Sequence, residues 1–177
     1  RFQKPVDTYV SLGYAFTGFT EESVFKTYYD RSVAPLGGVF RLTLLPFKRT
    51  YGHFGFNLNY SAAMLRKQLD DYTLDGALML THVNAAYVYP IIKHRLNLDI
   101  HAGAGAVFLM QSKFSFGGSA ESPAYWYWGF DMDAGTALQV FVYKKMYLEL
   151  NVDHFFVFRD GLPKYMFQPQ FSVGWMF

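Results

Sequence analysis

The sequence predicts an all-β protein, an eight-stranded antiparallel up-and-down transmembrane β-barrel. Three observations predict it: apolar side chains that recur every second residue, a high aromatic content without a long apolar run, and connections that alternate in length. The 177 residues are 20% aromatic and 51% hydrophobic, yet only 17% charged. The longest nearly apolar run, residues 85–92, contains Pro90 and is far shorter than the roughly 20 residues of a membrane-spanning helix.

The two-residue period is clearest in HFGFNLNYSAAM, residues 53–64, where apolar side chains occupy the even positions. Successive side chains of a strand point to opposite faces, so this alternation indicates a strand. The fourth segment is the least regular, because Leu78 and Leu80 share a phase with His82 and Asn84. The pattern predicts strands near residues 8 to 17, 37 to 45, 52 to 65, 77 to 89, 96 to 109, 124 to 142, 147 to 158 and 165 to 177.

The connections PFKRTY, PIIKHR and YKKM are short, whereas residues 18 to 36, 66 to 76, 110 to 123 and 159 to 164 are longer or more polar. Short turns at one end and long loops at the other are typical of an up-and-down barrel. We expect a single domain over residues 1–177, closed by pairing of the last strand with the first. No basic and apolar leader follows Arg1, so an exported protein is expected to have lost its signal peptide already.

The type of polar residue distinguishes a membrane barrel from a soluble, lipocalin-like one. Within the predicted strands, the residues that alternate with the apolar ones, here called the polar phase, have compact side chains. Of the 16 Lys and Arg residues, only Arg41 falls inside a predicted strand. A Lys or Arg on the lipid face at mid-bilayer costs about 2 to 4 kcal/mol, so a membrane barrel explains this exclusion. Two aromatic belts are also predicted: Phe47, Tyr51, Tyr87, Tyr89, Tyr143, Tyr147 and Trp175 near the short turns, and Phe16, Phe108, Trp126, Trp128, Phe156, Phe158 and Tyr165 near the long loops.

Eight alternating strands, short turns at one end and a final strand ending QFSVGWMF resemble the small barrels of the bacterial outer membrane, the OmpA, OmpX and OmpW kind. The resemblance implies location in the bacterial outer membrane, contact with its lipids, and short turns that face the periplasm. It also implies insertion by the barrel-assembly machinery, which reads the last strand of such proteins. The matching assembly signal is Phe171, Val173, Trp175 and Phe177.

The polar phase, assigned to the interior, predicts a lumen network. Eight strands enclose a space that side chains just fill, so a wide pore is not expected. The predicted pairs are Arg41 with Asn57, Asn84 with His101, Ala86 with Asp99, and His101 with Asp133. The network comprises Arg41, Asn57, His82, Asn84, Asp99, His101, Asp131, Asp133 and Asp153, joined by His53, Asn59, Asn97, Glu149 and Asn151.

Three interpretations of this lumen are open. A hydrogen-bonded network that makes the barrel rigid is favoured, because buried charges require partners. An excess of carboxylates also suits a narrow hydrated path for cations. A metal site from His82, His101 and Asp133 is the third interpretation, but no ligand spacing is diagnostic, and we predict no cofactor or metal.

Three predicted surfaces are suited to binding a partner. A wall of small residues allows close approach of another membrane protein or faces lipid. The short turns carry six Lys or Arg residues and His94, which suit anionic phospholipid or an acidic periplasmic partner. The first long loop contains Phe25, Tyr28 and Tyr29, which either bind a partner or close the barrel mouth. The small-residue wall is Thr81, Ala85, Ala102, Ala104 and Ala106.

The favoured function is a structural, surface-interaction or complex-forming outer-membrane barrel. One alternative is a narrow channel for small hydrophilic or cationic solutes, and another is an enzyme that modifies outer-membrane lipid. Barrels of the resembling kind that remove an acyl chain from lipid A place a His and a nearby Ser on the outer wall. His154 has the right parity, but Phe156 stands two residues on, so no catalytic residue is predicted. A net charge of +2 gives no case for nucleic-acid binding.

Overall fold

The computed structural model describes residues 6–19, 36–69, 72–111, 114–116, 120–122 and 125–177. Within these ranges, eight long strands form one antiparallel sheet, and no helix is long and apolar enough to cross a membrane. The strands are β1 (Asp7–Ala15), β2 (Leu36–Arg49), β3 (Gly52–Leu69), β4 (Tyr72–Ile92), β5 (Leu96–Gln111), β6 (Tyr125–Tyr143), β7 (Met146–Val157) and β8 (Tyr165–Met176). The predicted fold class is confirmed.

The sheet closes on itself through β1, which pairs with both β2 and β8. Tyr9 lies opposite Met176 and Ala15 lies opposite Gln170. A short strand, Gly18–Phe19, continues this pairing along β8. The predicted pairing of the last strand with the first is therefore confirmed, and closure removes the edge that an open sheet would expose to lipid. A single domain over residues 1–177 stays a prediction.

Several strands are longer than the sequence pattern indicates. β3 has 18 residues and β4 has 21. Because β2 and β3 extend into the connections, they also contain Lys48, Arg49, Arg66 and Lys67. Arg41 is the one Lys or Arg within the predicted strand bounds, but the observed strands extend beyond those bounds and contain further basic residues. Backbone pairing continues after the apolar wall has ended, because the ladder requires N–H and C=O groups rather than apolar side chains.

The four predicted side-by-side pairs are wrong, each by two residues. For the three pairs across short turns, the error arises at the turns: Arg49 pairs with Gly52 and Ile92 with Leu96, and an irregularity precedes each of these pairs. The fourth pair spans the long connection between β5 and β6, whose ladder is regular. Because the slip is even, it leaves unchanged which residues of each strand face inward and which face outward. The observed pairs are Arg41 with Asn59, Thr43 with Asn57, Asn84 with Gly103, Ala86 with His101, Val88 with Asp99, His101 with Gly135 and Gly103 with Asp133.

The outer wall is apolar and carries aromatic side chains at both ends, as expected for contact with lipid. Leu12 and Trp126 are more than 60% exposed, and Trp175 is 40% exposed. One belt residue is misplaced in the prediction. Tyr147 is 1% exposed and lies inside the barrel, because it shares the inward phase of Glu149 along β7.

The interior is stratified into three layers. At the long-loop end, the apolar plug fills the barrel with ten buried residues: Ala63, Leu65, Leu78, Leu80, Val107, Leu109, Phe155, Val157, Leu162 and Met166. At the short-turn end, an aromatic layer of Tyr9, Leu45, Val88 and Tyr147 is packed against Phe141 and Met176. The polar side chains lie between these two layers.

Candidate functional site

The Arg41 guanidinium is the cationic centre of the polar layer. It projects inward from β2 and is 2% exposed. Its Nη1 lies 3.3 Å from Glu149 Oε1, and its Nη2 lies 3.5 Å from Asp99 Oδ1. Glu149 belongs to β7 and Asp99 to β5, so the arginine bridges strands on different sides of the lumen. Such buried charges are stable only when paired and hydrogen-bonded.

The His101 ring lies between this guanidinium and a second carboxylate. His101 Nε2 is 2.7 Å from Asp153 Oδ1, and His101 Nδ1 is 2.6 Å from Arg41 Nη2 and 3.0 Å from Asp99 Oδ1. A neutral ring that donates from Nε2 to Asp153 accepts at Nδ1 from Arg41. This assignment satisfies both nitrogens, and Asp99 is then held by the guanidinium.

Asp153 is the main acceptor of the network. Its Oδ2 receives hydrogen bonds from the Nδ2 groups of Asn59 at 2.7 Å and Asn151 at 2.9 Å, and from Gln170 Nε2 at 2.7 Å. Together with His101, these donors come from four strands, β3, β5, β7 and β8. One fully buried carboxylate thus cross-links half of the barrel wall.

Two further polar pairs lie closer to the plug, separate from this network. His82 Nε2 lies 2.8 Å from Asp131 Oδ2, and Asn84 Nδ2 donates to Asp133 Oδ2 at 2.7 Å. The His82 ring also packs against Phe155 with centroids 4.8 Å apart. His82 therefore marks the boundary between the polar layer and the apolar plug.

The nine predicted lumen residues are all buried, but they do not form a single cluster. His82 and His101 contact different carboxylates, and no group of three or more His, Asp or Glu side chains in the described part of the chain is placed to hold a metal. Three carboxylate oxygens there, Asp99 Oδ2, Asp131 Oδ1 and Asp133 Oδ1, have no hydrogen-bond partner. His53 lies outside the layer, at the short-turn end.

Inward-facing glycines provide the space for these side chains. An ideal Cβ at Gly135 would overlap Asp153 Oδ1 and the His101 ring. Likewise, a Cβ at Gly103 would overlap the Val83 carbonyl oxygen and the Asn84 side chain, and a Cβ at Gly105 would overlap the Thr81 carbonyl oxygen and the His82 ring. Glycine is needed in these strands because a large polar group on a neighbouring strand fills the same volume.

The connection between β7 and β8 contributes to the apolar plug. Leu162 is 1% exposed and packs inside the barrel. Arg159 Nε donates to Tyr127 Oη at 3.0 Å, and Lys164 Nζ lies 2.8 Å from Asp160 Oδ1. The hydrogen bond and charge of Lys164 lower the pKa of the Asp160 carboxyl. These contacts hold the connection over the long-loop end of the barrel, with Leu162 directed inward.

Sequence reasoning missed the plug. The sequence feature that could have indicated the plug is in β4, where the inward face changes from apolar Leu78 and Leu80 to polar His82. Val107, Leu109, Phe155 and Val157 repeat the same change of character on the inward faces of β5 and β7. An apolar end to an otherwise polar face indicates a layer boundary within the lumen.

The residues of the predicted small-residue wall are neighbours on two paired strands, with the exposed Val83 between Thr81 and Ala85. Thr81 pairs with Ala106 and Ala85 with Ala102, while Ala104 lies opposite Val83. Of the predicted assembly signal, Phe171, Val173 and Trp175 project from β8 on the exposed face, and Phe177 follows the strand and is 53% exposed. The loop residues Phe25, Tyr28 and Tyr29 lie outside the described residues.

His154 is exposed on the outer wall, near the long-loop end of β7. Its Nδ1 lies 2.5 Å from Tyr165 Oη, and the two rings stack with centroids 5.9 Å apart. Ala134 and Phe167 are its neighbours across the sheet. Neither of these two cross-strand partners is a serine or a carboxylate, the groups that an activated serine next to His154 would require.

Replacing His101 by alanine is expected to destabilise the barrel by about 2 kcal/mol, because Asp153 loses a charge-assisted donor. Strand pairing and insertion should be retained, since the outer wall is unchanged. Thermal unfolding in detergent measures the loss, with His154→Ala on the outer wall as the control. An unfolding temperature equal to that of the unchanged protein would contradict a stabilising role for His101.

A closed antiparallel ring of eight strands, an apolar wall with aromatic ends and a buried polar interior define a bacterial outer-membrane β-barrel. No protein-family model matches the chain, and no curated protein sequence matches it. Solved structures are similar, however, over nearly the whole chain.

A major outer membrane protein from Thermus thermophilus is 10% identical, with a TM-score of 0.72 over 97% of this chain and 99% of that one. Ail, the attachment invasion locus protein of Yersinia pestis, solved in complex with the heparin analogue sucrose octasulfate, is 16% identical, with a TM-score of 0.58 over 98% and 100%. Neisserial surface protein A is 13% identical, with a TM-score of 0.52 over 98% and 96%. At these identities the similarity establishes the fold alone.

Proposed function

We propose that this protein is a non-conducting outer-membrane barrel that serves as a rigid support for interactions at its outer wall, turns or loops. One observation carries the proposal: the buried polar network is enclosed between the apolar plug and the aromatic layer. The interior is thus organised to stabilise the barrel, which leaves its surfaces for function.

The stratified interior argues against the channel alternative. A hydrated ion would have to cross two layers whose buried side chains offer few groups to replace its water, and such apolar constrictions block conduction by dewetting. Between them, Arg41 is fixed to Glu149 and Asp99. The acidic excess that suggested a cation path is instead engaged in contacts between strands.

The lipid-modifying alternative has little support in the described residues. His154 is placed at the lipid-exposed wall, but its hydrogen-bond partner is Tyr165. A phenol can anchor the ring, whereas nucleophilic catalysis requires a nucleophile beside the base and usually a third group that orients it. We therefore retain the non-catalytic function.

The proposed partners follow from the surfaces. Lipid acyl chains would contact the exposed apolar wall, and the barrel-assembly machinery would read Phe171, Val173, Trp175 and Phe177 during insertion. A membrane protein partner would approach the small-residue wall, where Ala85 and Ala102 lie side by side and allow close packing. Ail was crystallised in complex with the heparin analogue sucrose octasulfate.

Planar-bilayer recordings test the proposal. The purified, folded barrel is expected to produce no discrete conductance steps in concentrated KCl, while a general porin inserted into the same bilayer does. Reproducible steps with a preference for cations would favour the channel alternative and contradict a sealed lumen. The same preparation, incubated with lipid A, should release no fatty acid.

A further inference from the structure

A cavity of about 530 Å³ opens at the short-turn end of the barrel, next to the aromatic layer. The three short turns converge on it, so its walls come from residues far apart in the sequence. We call it the mouth cavity. Its charged and polar lining includes Asp7, His53, Lys93, His94, Asn97 and Lys144.

The lining of the mouth cavity has more basic than acidic side chains. Asp7 is the one carboxylate among its lining residues, and it is already engaged: Lys48 Nζ lies 2.7 Å from its Oδ1 and His53 Nδ1 lies 3.5 Å from its Oδ2. Lys93 forms no ion pair within the described residues, and the recorded contact of Lys144 is with the ring of Tyr143, 5.1 Å from its centroid. Lys93 and Lys144 therefore line the cavity, and neither pairs with a carboxylate of the described residues.

The turn backbone gives a second, independent observation. His94 has φ of 62° and Lys144 has φ of 47°, and they are the non-glycine residues with positive φ in the described chain. Gly or Asn would adopt this left-handed conformation at lower cost. Both exceptions line the mouth cavity. Strained residues gathered at one cavity indicate that the side chains serve a purpose other than turn formation.

The position of the cavity indicates the source of its ligand. It opens inside the ring of strands, whereas phospholipid head groups surround the outer wall. Besides the cationic groups, Asn97 and Tyr9 supply neutral hydrogen-bonding groups at its inner end. We propose that the mouth cavity binds a small, water-soluble polyanion bearing phosphate or carboxylate groups, held by Lys93 and Lys144 and by the imidazole of His94.

The test titrates the full barrel, in nanodiscs of zwitterionic phosphatidylcholine, with inorganic pyrophosphate and with citrate. Calorimetry gives the affinity, and backbone NMR shifts locate the site. The double variant K93Q/K144Q is expected to weaken binding by about tenfold, because two charge-assisted contacts are lost. R95Q/K145Q is the matched control: it removes the same charge from the same turns, outside the cavity lining, and should change affinity less than twofold.

Lys144→Gly separates turn geometry from binding. It is expected to maintain or raise the unfolding temperature, because glycine relieves the left-handed position, and yet to weaken pyrophosphate binding. Three results would overturn the proposal: no binding of either anion in the millimolar range, equal weakening by the two double variants, or loss of pyrophosphate binding in phosphatidylglycerol nanodiscs. The last result would assign the cavity to lipid head groups.

Discussion

Replacing Arg41 by methionine is expected to lower the free energy of unfolding by about 3 to 5 kcal/mol, the usual cost of removing one partner from a buried ion pair. The guanidinium is the lone arginine or lysine among the buried residues of the described lumen. Without it, Glu149 and Asp99 each lose a cationic partner, and His101 loses the donor at its Nδ1. Because methionine preserves much of the side-chain volume, the decrease in the free energy of unfolding reflects the removed charge rather than a cavity.

Urea titration of the folded barrel in detergent measures this loss, with tryptophan fluorescence and the mobility of unheated samples on gels as readouts. Arg49→Met, at the exposed end of β2, is the control and should change stability by no more than about 0.5 kcal/mol. Adding Glu149→Gln to Arg41→Met should recover part of the loss, because the uncompensated carboxylate is then neutral. A single variant that unfolds at the same urea concentration as the control would refute the role of Arg41.

Replacing Gly135 by valine is expected to cost about 4 kcal/mol and to lower the folded fraction of the chain. The added Cβ would occupy the position of Asp153 Oδ1 and of the His101 ring. Overpacking itself costs about 1 to 3 kcal/mol. The variant also breaks the 2.7 Å contact between His101 and Asp153, so the stability of a charge-assisted hydrogen bond is lost as well.

Gly38→Val provides the matched control, because an ideal Cβ at Gly38 has no atom within 4 Å and the residue is exposed on β2. The folded fraction after dilution from urea into detergent, read from gel mobility, compares the two variants. Equal folded fractions would show that the lumen can rearrange around a side chain at position 135, against the close packing described here.

The predicted strands, their order and their faces were correct because each depends on a local property of the chain. Alternation in a strand assigns every side chain to one of two faces, and a barrel of alternating strands can place only one face toward lipid. The inward positions of Asn57, Asp131 and Asp153 follow from parity alone. A register error of two residues leaves that parity intact, which is why the faces were right although the pairs were wrong.

The contacts within the lumen could not be predicted in this way. Arg41 and Glu149 are 108 residues apart, and their meeting depends on the stagger of all the strands between them. Bulges next to the short turns set part of that stagger, and they carry no clear mark in the sequence. The inward position of Tyr147 likewise corrects an assignment based on its nearness to a turn.

The sequence by itself determined that this chain forms alternating strands with an apolar side for lipid and a polar side for the interior, because side-chain direction follows from position along a strand. The tertiary structure alone decided that the interior is layered, that Arg41 and Asp153 connect distant strands, and that three basic turns converge on one cavity. These features arise when the sheet closes, since closure and stagger determine which inward side chains face one another across the lumen.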